Sequence, residues 1–186
     1  MVYNVISNMN AVIIFCAQYL FLLVVLLEVL AVIRLGKGVD QKVRFVLAIV
    51  IAGVIAFILS RISSKLYFDP RPFVREHVKP LFPHIADNGF PSDHALLTGT
   101  LTAITYFYNK KYATIMLIPT LIIGWARVYA KVHSPIDIAG GWIFGIIGSL
   151  AAYYLVRWGL SKPWGQDLQK KLIRIVQATP ILNKVM

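Results

Sequence analysis

Histidines and cations are concentrated in two polar stretches of an otherwise apolar chain. The first covers residues 65–94 and contains three of the four histidines, together with Arg71. The second covers residues 127–137 and contains Arg127 and the fourth histidine, His133. Gathered cations and imidazoles are typical of a site that binds an anion. We therefore expect the two stretches to close on one phosphate.

Three cations are candidates for holding phosphate oxygens: Lys65, Arg71 and Arg127. Arg71 stands between Pro70 and Pro72, so its backbone is stiff and extended. A guanidinium held in this way suits bidentate binding of a phosphate. Lys65 and Arg127 stand at the ends of apolar runs, where a cation can instead extend toward lipid headgroups. The sequence leaves both explanations open for these two residues.

The sequence Pro91-Ser92-Asp93-His94 predicts the start of a helix. Ser92 suits the N-cap position, which is a structural role. A helix N-terminus also offers free amides and the positive end of the helix dipole to a phosphate. His94 then falls in the first turn, where it could protonate a leaving oxygen as a general acid.

His133 and Asp137 are four residues apart across a second predicted helix start. Ser134, Pro135 and Asp137 form a normal N-terminal sequence, so Asp137 could be a capping residue. A carboxylate on one imidazole nitrogen also fixes the tautomer and makes the other nitrogen a better base or nucleophile. Because cations are in excess and can neutralise a phosphate, we expect no metal and no other cofactor. We expect His77 and His84 to be loop residues.

The composition predicts an integral membrane protein. The chain has 186 residues, is 58% hydrophobic and has a mean hydropathy of +0.70, which is too apolar for a soluble domain of this size. Its net charge of +11 is explained by the membrane, so no nucleic-acid partner is expected. The single cysteine, Cys16, excludes an intramolecular disulfide and a cysteine metal cluster.

Hydropathy predicts an all-α, polytopic bundle that forms one domain over residues 1–186. Glycine-rich positions in the last span would allow close helix contacts: Gly140, Gly141, Gly145 and Gly148. The basic tail, 157–186, is predicted to contain an amphipathic surface helix over 167–177. The five predicted spans cover 11–35, 45–64, 93–108, 112–130 and 135–156.

Five spans place 12 of the 19 cations on one side of the membrane. The positive-inside rule then puts the C-terminus in the cytoplasm and the loop 65–93 on the extracytoplasmic face. The other 7 cations break this bias, and a bound anion would explain them.

Three motifs in order give a resemblance to a known family. Lys65 with Arg71-Pro72, then Pro91-Ser92-x-His94, then Arg127-x5-His133-x3-Asp137 resemble the signature of the type 2 phosphatidic acid phosphatase superfamily, whose soluble relatives include haloperoxidases. Within it, residues 67–73 and 90–94 are similar to the undecaprenyl diphosphatases of the bacitracin-resistance type. The resemblance implies a bundle of about five to six spans in a bacterial plasma membrane.

The resemblance also implies roles for the residues. His133 would attack phosphorus and form a phosphohistidine, Asp137 would support it and His94 would protonate the leaving group. Four residues would hold the phosphate oxygens: Lys65, Arg71, Ser92 and Arg127. The chain departs from the pattern in three places: five residues instead of six separate Lys65 from Arg71, Asp93 replaces a glycine, and Ala126 replaces a serine. We expect Asp93 to tune substrate choice.

The function expected from this resemblance is hydrolysis of undecaprenyl diphosphate, a polyprenyl diphosphate lipid, to undecaprenyl phosphate and phosphate. This reaction recycles the cell-wall carrier lipid and would confer bacitracin resistance. One alternative is the same chemistry on phosphatidate or phosphatidylglycerol phosphate. The other is a transporter or scaffold for anionic lipid, which would need cations but not two histidines with a supporting acid.

Overall fold

The computed structural model describes residues 2–36 and 38–179, with side chains described from residue 7 onward. Lys37 lies outside this part of the chain, and so do residues 180–186, the last residues of the predicted tail. Every regular element in the described residues is a helix, which confirms the all-α prediction. The helices are α1 (Val2–Gln18), α2 (Phe21–Ile33), α3 (Val39–Leu66), α4 (Pro72–Arg75), α5 (Asp93–Tyr108), α6 (Lys110–Tyr129), α7 (Pro135–Gly159) and α8 (Pro163–Ala178).

Three helices of the described chain, α3, α6 and α7, are long and apolar enough to cross a membrane. A fourth span results if α1 and α2 are counted together, although this pair is bent by 46°. The remaining predicted span, 93–108, corresponds to α5, which begins and ends as predicted but has only 16 residues. At 1.5 Å per residue it is about 24 Å long, so it falls short of the hydrocarbon thickness.

The prediction of one continuous helix over 11–35 is wrong, because the helix is interrupted between Gln18 and Phe21; the predicted span is kept only if α1 and α2 are counted together. In a continuous helix the carbonyl of Ala17 would accept from the amide of Phe21. Here it accepts from Nη1 of Arg127 at 2.9 Å. A side chain that takes a carbonyl out of the helical ladder is a known cause of a kink. This contact joins residues 110 positions apart, so no local pattern could reveal it.

Helix α5 lies at the centre of the bundle, packed between α3, α6, α7 and α2. Glycines of α7 allow the closest approaches, as predicted. A Cβ on Gly145 would lie 2.6 Å from the amide nitrogen of Thr100 in α5, and one on Gly148 would lie 2.8 Å from the carbonyl of Ala52 in α3. Such distances leave no room for a methyl group, so α7 fixes the positions of both neighbours.

Helix α6 ends in a Schellman motif that turns the chain toward α7. The amide of Lys131 donates to the carbonyl of Val128 at 3.0 Å, and the amide of Val132 donates to that of Arg127 at 3.3 Å. Lys131 occupies the position usually held by glycine and has a φ of 63°. Its carbonyl accepts from the amide of Phe73, so this turn also holds the loop before α5.

Helix α8 contains the predicted tail segment 167–177. Gln169 is buried, and its side-chain amide donates to the carbonyl of Asp40 at the start of α3. Most of the other α8 side chains are exposed. The helix therefore packs against the end of the bundle where α3 begins, opposite the ends of α3 and α6.

The close contact of α7 with α5 predicts different results for two glycine substitutions. Gly145→Ala should lower the thermal unfolding midpoint in detergent, because the new methyl group meets Thr100 and overpacking costs about 1–3 kcal/mol. Gly53→Ala, in the middle of α3, is the matched control because its Cβ would meet nothing within 4 Å. It should leave the midpoint unchanged or raise it, since alanine has the higher helix propensity. Equal midpoints for the two variants would contradict the packing described here.

Candidate active site

The end of α3, the start of α5, the end of α6 and the start of α7 meet at one end of the bundle. The loop before α5 closes the space between them, leaving a pocket of about 340 Å³. Five of the predicted site residues, from both polar stretches, line this pocket: Arg71, Asp93, His94, Arg127 and His133. Its lining residues are Arg61, Ser64, Arg71, His84, Asp87, Asn88, Phe90, Pro91, Asp93, His94, Arg127 and His133.

His133 and Asp137 form the predicted pair. Nδ1 of His133 lies 3.2 Å from Oδ2 of Asp137, and both side chains are buried. The same carboxylate oxygen accepts from the backbone amide of Ser134 at 2.8 Å. Asp137 is therefore both a capping residue of α7 and the partner of the imidazole, so the capping interpretation and the pairing interpretation do not exclude each other. With Nδ1–H donated to Asp137, Nε2 carries the lone pair, and His133 is one of the residues that line the pocket.

Burial lowers the pKa of His133 below its usual range, and the positive charges of Arg127 and Arg71 lower it further. The neutral imidazole is consequently the stable form at neutral pH. A neutral ring with a fixed tautomer is the state in which Nε2 can act as a nucleophile.

Arg71 is buried and held on three sides. Its Nε donates to Asp87 at 2.7 Å, and its Nη1 donates to the carbonyl of Val132 at 2.8 Å. The same Nη1 lies 3.1 Å from Nε2 of His133. The guanidinium thus lies directly beside the nitrogen that would attack phosphorus, as a phosphate-binding cation should.

Arg127 is buried in the last turn of α6. Its Nη1 donates to the carbonyl of Ala17, and its Nη2 lies 3.3 Å from Nε2 of His84. Its Nε is buried and has no hydrogen-bond partner within the described residues. A buried donor without a partner is costly, and an anion in the pocket would satisfy it.

Ser92 is the residue before α5, but its side chain makes no capping hydrogen bond. Its Oγ is buried and has no partner in the part of the chain that the structure describes. Ser92 therefore occupies the predicted N-cap position, but its side chain does not cap the helix. It is fully buried and is not among the residues that line the pocket, so its role toward phosphate stays a prediction. His94 lines the same pocket from the first turn of α5, with its ring 5.1 Å from that of Phe21 at the α1–α2 break.

Lys65 is the predicted phosphate-binding cation that the structure does not bring to the pocket. Lys65 is exposed in the last turn of α3 and is not among the residues that line the pocket. Arg61, one helical turn earlier, lines it instead. Asp93 also lines the pocket, and its carboxylate pairs with Arg61 at 2.6 Å. The role of Lys65 in phosphate binding stays a prediction.

Sequence reasoning missed several residues that build the pocket. His84 was expected to be only a loop residue, yet its ring lies 6.0 Å from that of His133 and contacts Arg127. Burial and the two arginines lower the pKa of His84, so it too is neutral. Asn88 holds the loop by accepting from the amides of Asp69 and Phe90. The only signal was the position of these polar residues in the loop before Ser92.

Asp69 lies behind the site. Its carboxylate accepts from Oγ of Ser134 at 2.6 Å, next to the His133–Asp137 pair. Gly89 lies in the same region, where a Cβ would approach Oδ2 of Asp137 to 2.7 Å. Asp69 therefore braces the first turn of α7, and Gly89 lets the loop pass over it. Among the described residues, no group of three or more histidine, cysteine or acidic side chains could hold a metal ion.

Comparisons with known proteins agree with this arrangement. The PAP2 superfamily model matches residues 41–160. The chain is 31% identical to the bacitracin transport permease protein BcrC of Bacillus licheniformis, over 80% of this chain and 72% of the relative. It is 30% identical to undecaprenyl-diphosphatase BcrC of Bacillus subtilis, over 76% of this chain and 72% of that protein. An undecaprenyl-diphosphatase of Sulfolobus acidocaldarius is 31% identical, over 77% of this chain and 68% of its own length.

A solved structure supports the fold. The crystal structure of Aquifex aeolicus LpxE superposes with a TM-score of 0.54 at 24% identity, covering 78% of this chain and 85% of that one. The family model covers the motif residues from Lys65 to Asp137 and four of the helices around the pocket. The chain therefore belongs to the PAP2 superfamily and is a membrane phosphatase.

Proposed function

We propose that this phosphatase hydrolyses undecaprenyl diphosphate to undecaprenyl phosphate and phosphate. One observation carries the proposal: Nδ1 of the buried His133 is paired with Asp137, and the same histidine lines a pocket together with Arg71, Arg127 and His94. This arrangement supplies a nucleophile, a supporting acid, a second histidine and charge for the phosphate oxygens. The names of two relatives supply the substrate.

The proposed reaction has two steps. Nε2 of His133 bonds to the terminal phosphorus, and the bond from that phosphorus to the bridging oxygen breaks. The electron pair stays on the bridging oxygen, which His94 protonates as the lipid phosphate leaves. Water then attacks the phosphohistidine and gives a proton to His94, the bond from phosphorus to Nε2 breaks with its electron pair on Nε2, and phosphate is released, so both histidines are regenerated. Arg71, Arg127 and the hydroxyl of Ser92 stabilise the oxygens of the transferred group throughout.

A second candidate class has some support, because one relative is named a transport permease. A permease for an anionic lipid would also need cations in the membrane. It would not need a neutral, buried histidine with a carboxylate on Nδ1, and this feature favours catalysis. Phosphatidate and phosphatidylglycerol phosphate remain substrates that the same pocket could accept, since each ends in a phosphate.

The proposed orientation follows from charge. The pocket lies at the end of the bundle away from α8, and the cation-rich ends of α2, α5 and α7 lie at the other. The positive-inside rule then places the pocket on the extracytoplasmic face, with the C-terminal tail in the cytoplasm. This face is where a carrier lipid could be recycled, and removal of its diphosphate form would underlie bacitracin resistance.

The reaction is tested by phosphate release from purified protein in detergent. Undecaprenyl diphosphate should be preferred over phosphatidate and phosphatidylglycerol phosphate, and activity should survive a metal chelator. His133→Ala should lower kcat by more than about 1,000-fold, because it removes the nucleophile. A radiolabelled terminal phosphate should be trapped on the wild-type protein by alkaline quenching, but not on this variant.

Two outcomes would contradict this proposal. Full activity of a folded His133→Ala variant would exclude it as the nucleophile. Preference for a glycerolipid would retain the chemistry and replace the substrate.

In cells, expression of the wild-type chain should raise the tolerated bacitracin concentration, whereas His133→Ala should not.

The orientation is tested by labelling intact cells with a membrane-impermeant thiol reagent. In a Cys16→Ser background, Ile85→Cys should react from outside, because Ile85 is 75% exposed in the loop over the pocket. Gln166→Cys on α8 is the matched control and should react only after lysis. The reverse pattern would invert the proposed topology.

A further inference from the structure

Arg61 and Asp93 form an ion pair at the edge of the pocket that the proposed mechanism does not use. Nη2 of Arg61 lies 2.6 Å from Oδ1 of Asp93, and both side chains are partly exposed. Asp93 stands between Ser92 and His94, where a carboxylate would repel an incoming phosphate. Pairing neutralises this carboxylate and keeps a guanidinium at the pocket. This arrangement indicates a role for the ion pair in substrate binding.

Arg61 is the third cation among the lining residues, after Arg71 and Arg127. Those two arginines lie on the side of His133, where the phosphate that reacts must bind. A diphosphate carries a second phosphate that must lie farther from Nε2 of His133. A cation at the edge of the pocket is suited to that group.

The path of the lipid points to the same place. An apolar groove of about 460 Å³ runs between α3 and α5, and Arg61 and Asp93 belong to its lining as well as to that of the pocket. The remaining wall includes Ile49, Gly53, Phe57, Leu97 and Leu101. A chain that leaves the pocket along this groove passes the ion pair first. The phosphate next to the chain would then lie beside Arg61.

From this arrangement we propose that Arg61 binds the lipid-side phosphate of a diphosphate substrate and so selects diphosphates over monophosphates. The inference rests on the function proposed above and assigns its specificity to one residue. When phosphorus transfers to Nε2 of His133, the bridging oxygen keeps the bonding electrons and negative charge grows on the leaving lipid phosphate. Arg61 neutralises that charge, and Asp93 holds Arg61 in position before the substrate binds.

Arg61 can bind a phosphate without releasing Asp93. The ion pair uses Nη2, so the N–H groups of Nε and Nη1 can donate to the phosphate while the carboxylate of Asp93 stays neutralised. A guanidinium also binds phosphate in a bidentate manner, which a lysine cannot reproduce. Lys65, one turn later on α3, is exposed and outside the pocket lining, so it provides a comparison on the same helix.

The test compares substrates that differ by one phosphate. Purified wild-type and Arg61→Gln proteins are assayed on diacylglycerol diphosphate and phosphatidate, and on undecaprenyl diphosphate. Arg61→Gln should lower kcat/KM for both diphosphates by about 10- to 100-fold, the size expected for a charged hydrogen bond. Phosphatidate should change by less than about threefold. Arg61→Lys should retain more diphosphate activity than Arg61→Gln.

Inhibition measures binding independently of turnover. Arg61→Gln should weaken inhibition by pyrophosphate while leaving inhibition by orthophosphate unchanged, because orthophosphate fills only the position beside His133. Arg44→Gln, at the opposite end of α3, is the matched control and should change neither. Unchanged orthophosphate inhibition also shows that the variant is folded.

The outcomes separate the two proposals. Equal losses on diphosphates and phosphatidate, or a loss of orthophosphate inhibition, would overturn the role of Arg61. A retained diphosphate preference in Arg61→Gln, with the loss appearing in Lys65→Gln instead, would overturn it as well. A wild-type protein that prefers phosphatidate to undecaprenyl diphosphate would refute the proposed function, whatever the variant does.

Discussion

A buried guanidinium without a carboxylate partner constrains the whole site. Arg127 lies in the interior at the end of α6, and its described contacts are a carbonyl and a neutral imidazole. Burying a charge is costly unless polar groups surround it, so each neighbour of Arg127 is held in place by that requirement. The carbonyl of Ala17 is drawn out of its helix, the chain bends there, and the ring of Phe21 comes to rest against His94.

The same positive charge sets the chemistry. Burial lowers the pKa of His133 and of His84, and the charges of Arg127 and Arg71 lower both further, so the two imidazoles are neutral. Carboxylates are present but lie outside the reacting position: Asp87 holds Arg71 from one side, and Asp137 holds Nδ1 of His133. The interior of the site has an excess of positive charge, and among the described residues Nε of Arg127 and the hydroxyl of Ser92 are buried donors without a hydrogen-bond partner; Oδ1 of Asp137, behind His133, is also unpartnered. An anionic group with several acceptor oxygens is the natural complement of such a surface.

The site stays in place because the helices that carry it cannot slide. Gly145 and Gly148 bring the backbone of α7 into contact with α5 and α3, where a side chain would not fit. The amide of Ser92 donates to the carbonyl of Asp137 at 3.0 Å, which joins the starts of α5 and α7. His94, in the first turn of α5, and His133, just before α7, therefore lie at two helix starts that are fixed to each other. A phosphate between them would meet groups that need little rearrangement.

Local chemistry was enough to identify much of this protein from its sequence. The apolar composition predicted a membrane protein, and the helix-start residues predicted where α5 begins. The glycines of α7 predicted close helix contacts, and the four-residue spacing predicted the His133–Asp137 pair. Tertiary structure alone decided the rest, because the deciding contacts join residues far apart in the chain. It broke the first helix through Arg127, brought His84 to the pocket from a loop, and turned Asp93 toward Arg61. The structure also places Arg61, and not Lys65, among the residues that line the pocket. The two residues are one helical turn apart, so the packing of α3 along its axis decides which of them reaches the pocket.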